Sequence, residues 1–265
     1  MFRLVKNKDL WYYTIDSFTK TNMVKHCFTT RHGGVSEGCF ESMNLRLSSG
    51  DSMDNILKNY SIIAKELGIN EKKLVLSKQV HEAKVVDVTS KHFGNGIYKE
   101  NEFESADALV TNEVGVPLVT FYADCVPVFL LDTKRRVLAL VHSGWKGTVL
   151  EISKRTISHM REKYYTNPSD VIAAIGPSIS KCHFEVGEEV CSVFREKFGE
   201  KWIATGYKKP HIDLQGCVKE QLLLAGVKEE NITVSGICTY CDENFFSHRR
   251  MGNDRGSMAA YICLK

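Results

Sequence analysis

Hydrophobic residues form two short runs near the middle of the chain, at residues 126–131 and 136–141. Each run is long enough for one buried strand, and the polar residues 132–134 between them are typical of a tight turn. The pattern therefore predicts two neighbouring antiparallel strands. Such a pair places Cys125, at the start of the first strand, and His142, at the end of the second, on the same edge of a sheet.

Residues 54–68 carry the clearest helical pattern, with the apolar positions on one face. Asp51 or Ser52 is expected to cap this helix, and Gly68 to end it. A second helix is predicted to open at residues 143–148 and to continue with an apolar stripe at Ile152, Thr156, Met160 and Tyr164. Two more helices are predicted, at residues 186–198, with Val190, Val193, Phe194 and Phe198 facing inward, and from Asp213, as the cap, to Gly226.

The remaining apolar runs predict further strands. They lie at residues 10–18, as an edge strand, and at residues 74–76, 84–88, 107–111, 117–122, 171–175, 232–237 and 258–264. Residues 91–104 are polar with glycines and predict a loop. No linker, short repeat or low-complexity tract interrupts the pattern. We therefore predict a single α+β (mixed α/β) domain over residues 1–265, with a mixed β-sheet flanked by helices.

Composition narrows the class of protein only a little. The net charge is +3 and no block of Lys and Arg stands out, so there is no reason to expect a nucleic-acid partner. No apolar run reaches membrane-spanning length and the N-terminal residues lack a signal-peptide core, so we expect a cytoplasmic protein without a membrane partner. In that reducing compartment the nine cysteines are expected to be thiols or ligands rather than disulfides.

A thiol and an imidazole on one sheet edge suggest chemistry at Cys125 and His142. His81 is predicted near a strand end and gains significance if it converges with them. One Cys and two His suit zinc and leave a coordination position for water. A Cys–His pair also suits a nucleophile and its base. The three side chains could equally have a purely structural placement, and the residues alone leave all three interpretations open.

Three further residues are candidates for the site. Arg31 lies in a glycine-rich loop that is either a plain surface loop or a contact for an anion or substrate. Lys146 lies where glycines precede a helix, and free backbone N–H groups at such a position can hold an anion. Asp124 is either a general base or the cap of a turn.

Cys238 and Cys241 have the two-residue spacing of a metal-ligand pair, but the sequence has no matching second pair. Cys182 and His183 lie upstream without the spacing of a zinc ribbon. We therefore interpret Cys238 and Cys241 as packing residues or incidental thiols rather than as ligands of a structural metal.

Several motifs, in order, cover nearly the whole chain. They are TTRHGGVSEG at 29–38, QVH at 79–81, SADALVT at 105–111, ADC at 123–125, VHSGWKGT at 141–148, IGPSIS at 175–180 and FFSHRR at 245–250. Together they resemble the YfiH/YlmD family, whose members carry the names laccase domain protein, polyphenol oxidase and purine nucleoside phosphorylase.

The resemblance implies that zinc is bound by His81, Cys125 and His142. It implies phosphorolysis of adenosine, inosine and S-methyl-5'-thioadenosine together with deamination of adenosine, so that the partners are purine nucleosides and phosphate. The implied fold is similar to that of a bacterial toxin deamidase, whose catalytic pair is Cys and His. One departure concerns the last strand, which the family usually precedes with Gly-Arg. This chain has Arg255 followed by Gly256, which leaves the role of Arg255 open.

The implied reactions can be compared with the residues available for catalysis. Deamination fits a water activated by zinc beside Cys125, with Asp124 to carry the proton. Phosphorolysis needs an anion site, for which Arg31, Lys146 and the amides near Gly147 are the candidate donors.

Three further functions compete with the zinc enzyme. A copper-dependent polyphenol oxidase fits less well, because multicopper sites need further paired histidines and the chain has no His-x-His pair. A metal-free cysteine hydrolase would use Cys125 as the nucleophile and His142 as its base. A non-enzymatic binding protein would use the same residues only to hold a ligand.

Overall fold

The computed structural model describes residues 1–265, which form fourteen strands and seven helices. The strands are β1 (Phe2–Asn7), β2 (Leu10–Ile15), β3 (Val24–Thr29), β4 (Val75–Leu76), β5 (Val85–Asp87), β6 (Ala108–Thr111), β7 (Leu118–Tyr122), β8 (Val126–Asp132), β9 (Val137–Ser143), β10 (Val171–Ile175), β11 (Ile203–Ala204), β12 (His211–Ile212), β13 (Ile232–Val234) and β14 (Met258–Leu264). The helices are α1 (Asp16–Thr21), α2 (Met53–Leu67), α3 (Trp145–Val149), α4 (Ile152–Tyr164), α5 (Glu188–Phe198), α6 (Leu214–Leu224) and α7 (His248–Met251).

Two six-stranded sheets form the body of the molecule. The first has the order β1-β2-β3-β14-β7-β4 and the second the order β13-β10-β8-β9-β6-β5, while β11 and β12 form a small separate pair. Both large sheets are mixed, because β4 runs parallel to β7 in the first, and β5 to β6 and β10 to β13 in the second. The predicted α+β class with mixed sheets and flanking helices is confirmed.

The two large sheets pack face to face, and helices cover their outer faces. Phe28 and Tyr122 of the first sheet share one hydrophobic cluster with Phe129 and Leu140 of the second. Helix α2 covers the other face of the first sheet, and α4, α5 and α6 cover the other face of the second. Both sheets are therefore buried on both faces, in four layers that share a central core.

The central strands β8 and β9 show this double burial most clearly. Val128 packs toward the helices, whereas its neighbour Phe129 packs toward the other sheet. Because both faces are covered, the strands have continuous apolar sequences rather than alternating ones. Val126 pairs with Ser143 in an antiparallel register, which confirms the predicted hairpin.

The long helix predicted from residues 143–148 onward is interrupted. Helix α3 ends at Val149 and α4 begins at Ile152. Glu151, between them, has a φ of 56°, which lies in the left-handed region and cannot continue a right-handed helix. The apolar stripe predicted for this helix belongs to α4 alone.

Some predicted boundaries and faces differ from the observed ones. Strand β2 is not an edge strand, because β1 pairs along its whole length and β3 lies on its other side. Residues 16–18 belong to α1 instead. Val193 is exposed rather than inward. The strand predicted at residues 232–237 ends earlier, since residues 235–237 lie outside β13.

Of the two predicted helix caps, that of α6 forms a side-chain capping hydrogen bond and that of α2 does not. Ser52 occupies the cap position of α2 without a side-chain capping hydrogen bond. Asp51 instead accepts hydrogen bonds from Asn44 and from the backbone of Ser52. The predicted cap of α6 is confirmed, since the Asp213 carboxylate accepts from the Gly216 N–H at 2.9 Å.

None of the helices combines the length and the hydrophobicity needed to cross a membrane. The cytoplasmic location and the likeness to a toxin deamidase stay predictions.

Candidate metal centre

Three side chains that could bind a metal converge at one end of the β8–β9 hairpin. Cys125 directly precedes β8, His142 lies in β9, and His81 lies in the loop that follows β4. Their candidate ligand atoms all lie within 4.8 Å of one another, and Cys125 Sγ is 3.9 Å from His81 Nε2. The two imidazole rings stand nearly perpendicular, with centroids 4.9 Å apart.

Asp107 holds two of these three residues in place. This carboxylate is fully buried, and its Oδ1 accepts hydrogen bonds from His142 Nδ1 at 2.8 Å and from the His81 backbone N–H at 3.1 Å. Its other oxygen accepts from the N–H groups of Val80 and Glu82. Since an ionised carboxylate only accepts, His142 carries its proton on Nδ1 and turns Nε2 toward the cluster.

The sequence pattern places Asp107 at the start of a strand and assigns it no role. The strand β6 in fact begins one residue later. A signal was present, because an acidic residue stands directly before the apolar run of SADALVT. A charged group in that position is unusual unless it is paired.

The charges at the cluster favour a thiolate. Burial alone would raise the pKa of the Cys125 thiol, but the charge and hydrogen bond of His142, with a further hydrogen bond from His81, outweigh it and lower that pKa to about 6. Burial alone would lower the pKa of His142, but the Cys125 thiolate and the Asp107 carboxylate raise it to about 9. The thiolate is the form that binds metals and that attacks electrophiles.

The donor set and its surroundings fit a single metal ion. One sulfur and two imidazole nitrogens are preferred zinc ligands, and three protein ligands leave a fourth position open. Gly144 lies against the cluster, where an added Cβ would be 3.0 Å from His81 Cδ2 and 3.1 Å from Cys125 Sγ. A residue larger than glycine would therefore crowd the ligands at this point.

Two cavities meet at the cluster. The first, of about 520 Å³, has both apolar and charged walls. The second, of about 370 Å³, is lined more by polar groups. His81, Cys125 and Arg255 line both. The first adds Trp145, Phe184, Val186, Leu214, His248 and Arg249, and the second adds Arg46, Ser77, Gln79, Asn101, Phe121 and Ser257.

Arg255 is a cation facing both cavities. Its Nε is buried and has no hydrogen-bond partner, while its Nη1 donates long hydrogen bonds to the Gly256 carbonyl and the Ser257 hydroxyl. Burial, and then the neighbouring charge of Arg46, lower the pKa of Arg255. Arg46 and Arg255 both line the second cavity, and two guanidinium groups in one cavity form a positive site suited to an anion.

Arg31 and Lys146 lie outside the walls of both cavities. Arg31 Nε donates to the Glu41 carbonyl at 2.8 Å, and its guanidinium lies over the Phe246 ring. The Lys146 ammonium lies over the ring of Trp145, 5.6 Å from its centroid. Their predicted role as phosphate or substrate contacts stays a prediction.

Asp124 lies beside Cys125 in the wall of the first cavity. Its φ is 91°, and both of its carboxylate oxygens accept hydrogen bonds, from the Thr239 hydroxyl at 2.7 Å and from the Arg249 backbone N–H at 2.7 Å. These contacts connect the Cys125 turn with the segment that carries α7. The predicted proton-transfer role of Asp124 stays a prediction.

Known proteins resemble this chain over most or all of its length. The model of a family described as multi-copper polyphenol oxidoreductase laccase matches residues 25–265. A purine nucleoside phosphorylase of Bacteroides thetaiotaomicron is 34% identical, with 100% of this chain and 99% of that protein covered. Adenosine deaminase RL5, from an unknown prokaryotic organism, is 34% identical over 90% of this chain and 94% of its own length.

Among solved structures, YlmD from Geobacillus stearothermophilus superimposes with a TM-score of 0.90 at 32% identity, covering 100% of this chain and 98% of that one. The resemblance to the YfiH/YlmD family is thereby confirmed. The named relatives are enzymes, and the chain is accordingly an enzyme.

Proposed function

Because this chain belongs to the family described as multi-copper polyphenol oxidoreductase laccase, and its named relatives are enzymes of purine nucleosides, we propose that it is a zinc-dependent purine nucleoside enzyme. The proposed reactions are phosphorolysis of adenosine, inosine and S-methyl-5'-thioadenosine, and deamination of adenosine. The convergence of His81, Cys125 and His142 where two cavities meet carries the proposal.

We assign the metal to these three residues. Asp107 orients His142 through the hydrogen bond from its Nδ1, on the side of the ring away from the metal. A zinc ion bound there supplies Lewis-acid chemistry at one open coordination position. We propose zinc rather than copper, despite the name of the family. The cluster of potential ligands contains only two histidines, and multicopper oxidase chemistry needs more.

For deamination, the first cavity offers space for a base against Trp145 and Phe184. Aromatic walls suit the flat apolar faces of a purine. We propose that Asp124 moves the proton next to Cys125. Because both of its oxygens accept hydrogen bonds, Asp124 could instead only position its neighbours. The Asp124→Asn variant separates the two roles, since Asn keeps the shape of the side chain but cannot transfer a proton.

For phosphorolysis, we propose that Arg255 and Arg46 hold the attacking phosphate. The unpaired Nε of Arg255 supports this choice, because a buried donor without a partner is costly unless a ligand completes it. Both guanidinium groups line the second cavity. Arg31 and Lys146 remain the candidates from the sequence, although both lie outside that cavity.

A metal-free cysteine hydrolase is the second candidate function. The observation that favours it is the convergence of the Cys125 thiol with the imidazoles of His81 and His142. Their charge and hydrogen bonds outweigh the effect of burial and lower the pKa of Cys125 to about 6. In such an enzyme Cys125 would attack a carbonyl carbon, His142 would protonate the leaving group, and water would then hydrolyse the resulting thioester and regenerate the thiol.

Metal analysis and product analysis on the same preparation test the proposal. We expect bound zinc, and adenosine turnover that yields inosine without phosphate and adenine with ribose 1-phosphate when phosphate is added. The His81→Ala variant should lose the metal of this site together with both activities, while His92→Ala, a histidine outside both cavities, serves as the matched control. Amide or ester hydrolysis that survives a chelator would support the cysteine hydrolase and contradict the zinc enzyme.

A further inference from the structure

Four metal-binding side chains meet at a second place in the molecule. Cys182 and His183 follow β10, and Cys238 and Cys241 follow β13. Their ligand atoms all lie within 4.8 Å of one another. Spacing along the chain does not reveal this cluster, because Cys182 lies 56 residues before Cys238. The parallel pairing of β10 with β13 brings the two segments side by side.

The distances between the donor atoms match those around one tetrahedral ion. Cys182 Sγ lies 3.6 Å from Cys238 Sγ and 3.7 Å from Cys241 Sγ. His183 Nδ1 lies 3.2 Å from Cys182 Sγ and from Cys241 Sγ. Zinc with ordinary Zn–S and Zn–N bond lengths holds such atoms roughly 3.5–3.8 Å apart. The four residues thus need only small shifts to share one ion.

The backbone around the cluster is already held in a binding conformation. The Ser180 N–H donates to Cys238 Sγ at 3.4 Å, as N–H groups do to metal-bound sulfurs. The His183 ring stacks on Tyr240, with centroids 4.0 Å apart, which fixes its orientation. Arg250 Nη1 donates to the carbonyls of Thr239 and Tyr240 and so supports the turn between the two cysteines.

We propose that Cys182, His183, Cys238 and Cys241 bind a second zinc ion, with a structural role. Four protein ligands fill a tetrahedral site and leave no position for substrate. The proposal replaces the interpretation of Cys238 and Cys241 as packing residues or incidental thiols. It uses none of the residues assigned to the metal at His81, Cys125 and His142.

The second site is directly connected to the cavity wall. Thr239, between the two cysteines, donates to Asp124 beside Cys125. Arg249, which lines the first cavity, donates from Nη1 to the His183 carbonyl at 3.1 Å. A metal that ties the two loops together therefore fixes the position of Arg249 and of the turn that carries Cys125.

Metal counting on the full chain, purified with zinc and freed of loosely bound ions, tests this inference. We expect two zinc ions per chain in the wild type, and one in Cys182→Ser and in Cys241→Ser. Both of these side chains are exposed, so serine is tolerated by the fold. Cys39→Ser, at another exposed cysteine, is the control and should keep two. Cobalt in place of zinc should give thiolate charge-transfer absorption that weakens in the two variants but not in the control.

The outcomes separate this inference from the proposed function. Both sites are supported if Cys182→Ser loses only the metal of the second site and His81→Ala loses only the metal of the first. If His81→Ala keeps the wild-type metal content while the cysteine variants lose one ion, the second site stands and the proposed catalytic zinc fails. Wild-type metal content in both Cys182→Ser and Cys241→Ser overturns the second site. A disulfide between these cysteines in freshly purified protein, detected by intact mass, also overturns it.

Discussion

His142 Nδ1 and Asp107 Oδ1 lie 2.8 Å apart, and both side chains are almost completely shielded from solvent. The contact fixes the tautomer of His142 as well as its orientation. The same carboxylate receives the backbone N–H groups of the loop that carries His81. One buried acid therefore sets the positions of two of the three proposed metal ligands.

The Asp107→Asn variant tests this arrangement. An amide keeps the size of the side chain but removes the charge that holds the proton on His142 Nδ1. We expect zinc affinity to fall about 10- to 100-fold, with a parallel loss of nucleoside turnover. A competition titration with a chromophoric chelator measures the affinity.

Asp87 provides the matched control for this measurement. It also accepts a hydrogen bond from a histidine, His159 Nε2, at 2.9 Å, but it lies outside both cavities. Asp87→Asn should leave zinc affinity unchanged. Equal zinc affinities in the wild type and in Asp107→Asn would show that the Asp107 carboxylate does not support metal binding.

The Arg255→Gln variant tests the proposed phosphate site. Glutamine keeps polar contacts with the backbone but removes the charge. We expect the KM for phosphate to rise about 10- to 100-fold, since a hydrogen bond to a charged group contributes about 1.5–3 kcal/mol, while phosphate-independent deamination changes less. Initial rates at varied phosphate concentration measure the effect.

The Lys146→Ala variant tests whether phosphate is bound by Lys146 rather than by Arg255. If Lys146 contacts phosphate, its removal raises the phosphate requirement more than it slows deamination. Arg136→Gln, which removes a guanidinium from the exposed surface, is the control and should change neither rate. An equal loss of both activities in Arg255→Gln would assign Arg255 a structural role.

His26 predicts a pH dependence of stability. It is buried, and its Nε2 accepts the Ile15 N–H at 2.8 Å, which requires an unprotonated nitrogen. Burial, and to a smaller extent the charge of Lys265, lower the pKa of His26 to about 4. In the unfolded chain the pKa is about 6.5, so below that pH the unfolded state binds more protons. The stabilisation is therefore complete above about pH 6.5 and is lost as the pH falls toward 4.

As the pH falls from 7 to 5, we expect protonation of His26 in the unfolded chain to lower the free energy of unfolding by about 2 kcal/mol. Urea denaturation at the two pH values measures the change. His26→Gln removes the titrating group and keeps an acceptor, so its unfolding free energy should fall by about 2 kcal/mol less over the same interval. An identical pH dependence in both proteins would exclude His26 as the source.

The sequence predicted well where local pattern determined the structure. The β8–β9 hairpin follows from two apolar runs and a turn, and it places Cys125 and His142 on one edge without any long-range information. The clustering of Cys182 with Cys238 could not be predicted in this way, because it depends on parallel pairing between β10 and β13. The break at Glu151 was also missed, since the apolar stripe continues in helical register while the backbone does not.

The cationic residues of the site also depend on contacts that are distant in sequence. Arg255 reaches the cavities only because β14 pairs with β7 in the middle of the first sheet. Its neighbour Arg46 comes from a distant loop. No spacing in the sequence connects these two cations, and their significance depends on the unpaired Nε of Arg255.

The double covering of β8 and β9 restricts how this enzyme can be altered. Moving Cys125 or His142 along these strands would disturb the packing on both sides of the second sheet at once. The loop before α5 supplies Glu185 to the first cavity, and 42% of this side chain is exposed, so it can be changed without disturbing either sheet. Engineering of substrate preference should therefore begin with partly exposed cavity-wall positions such as Glu185 and leave the hairpin untouched.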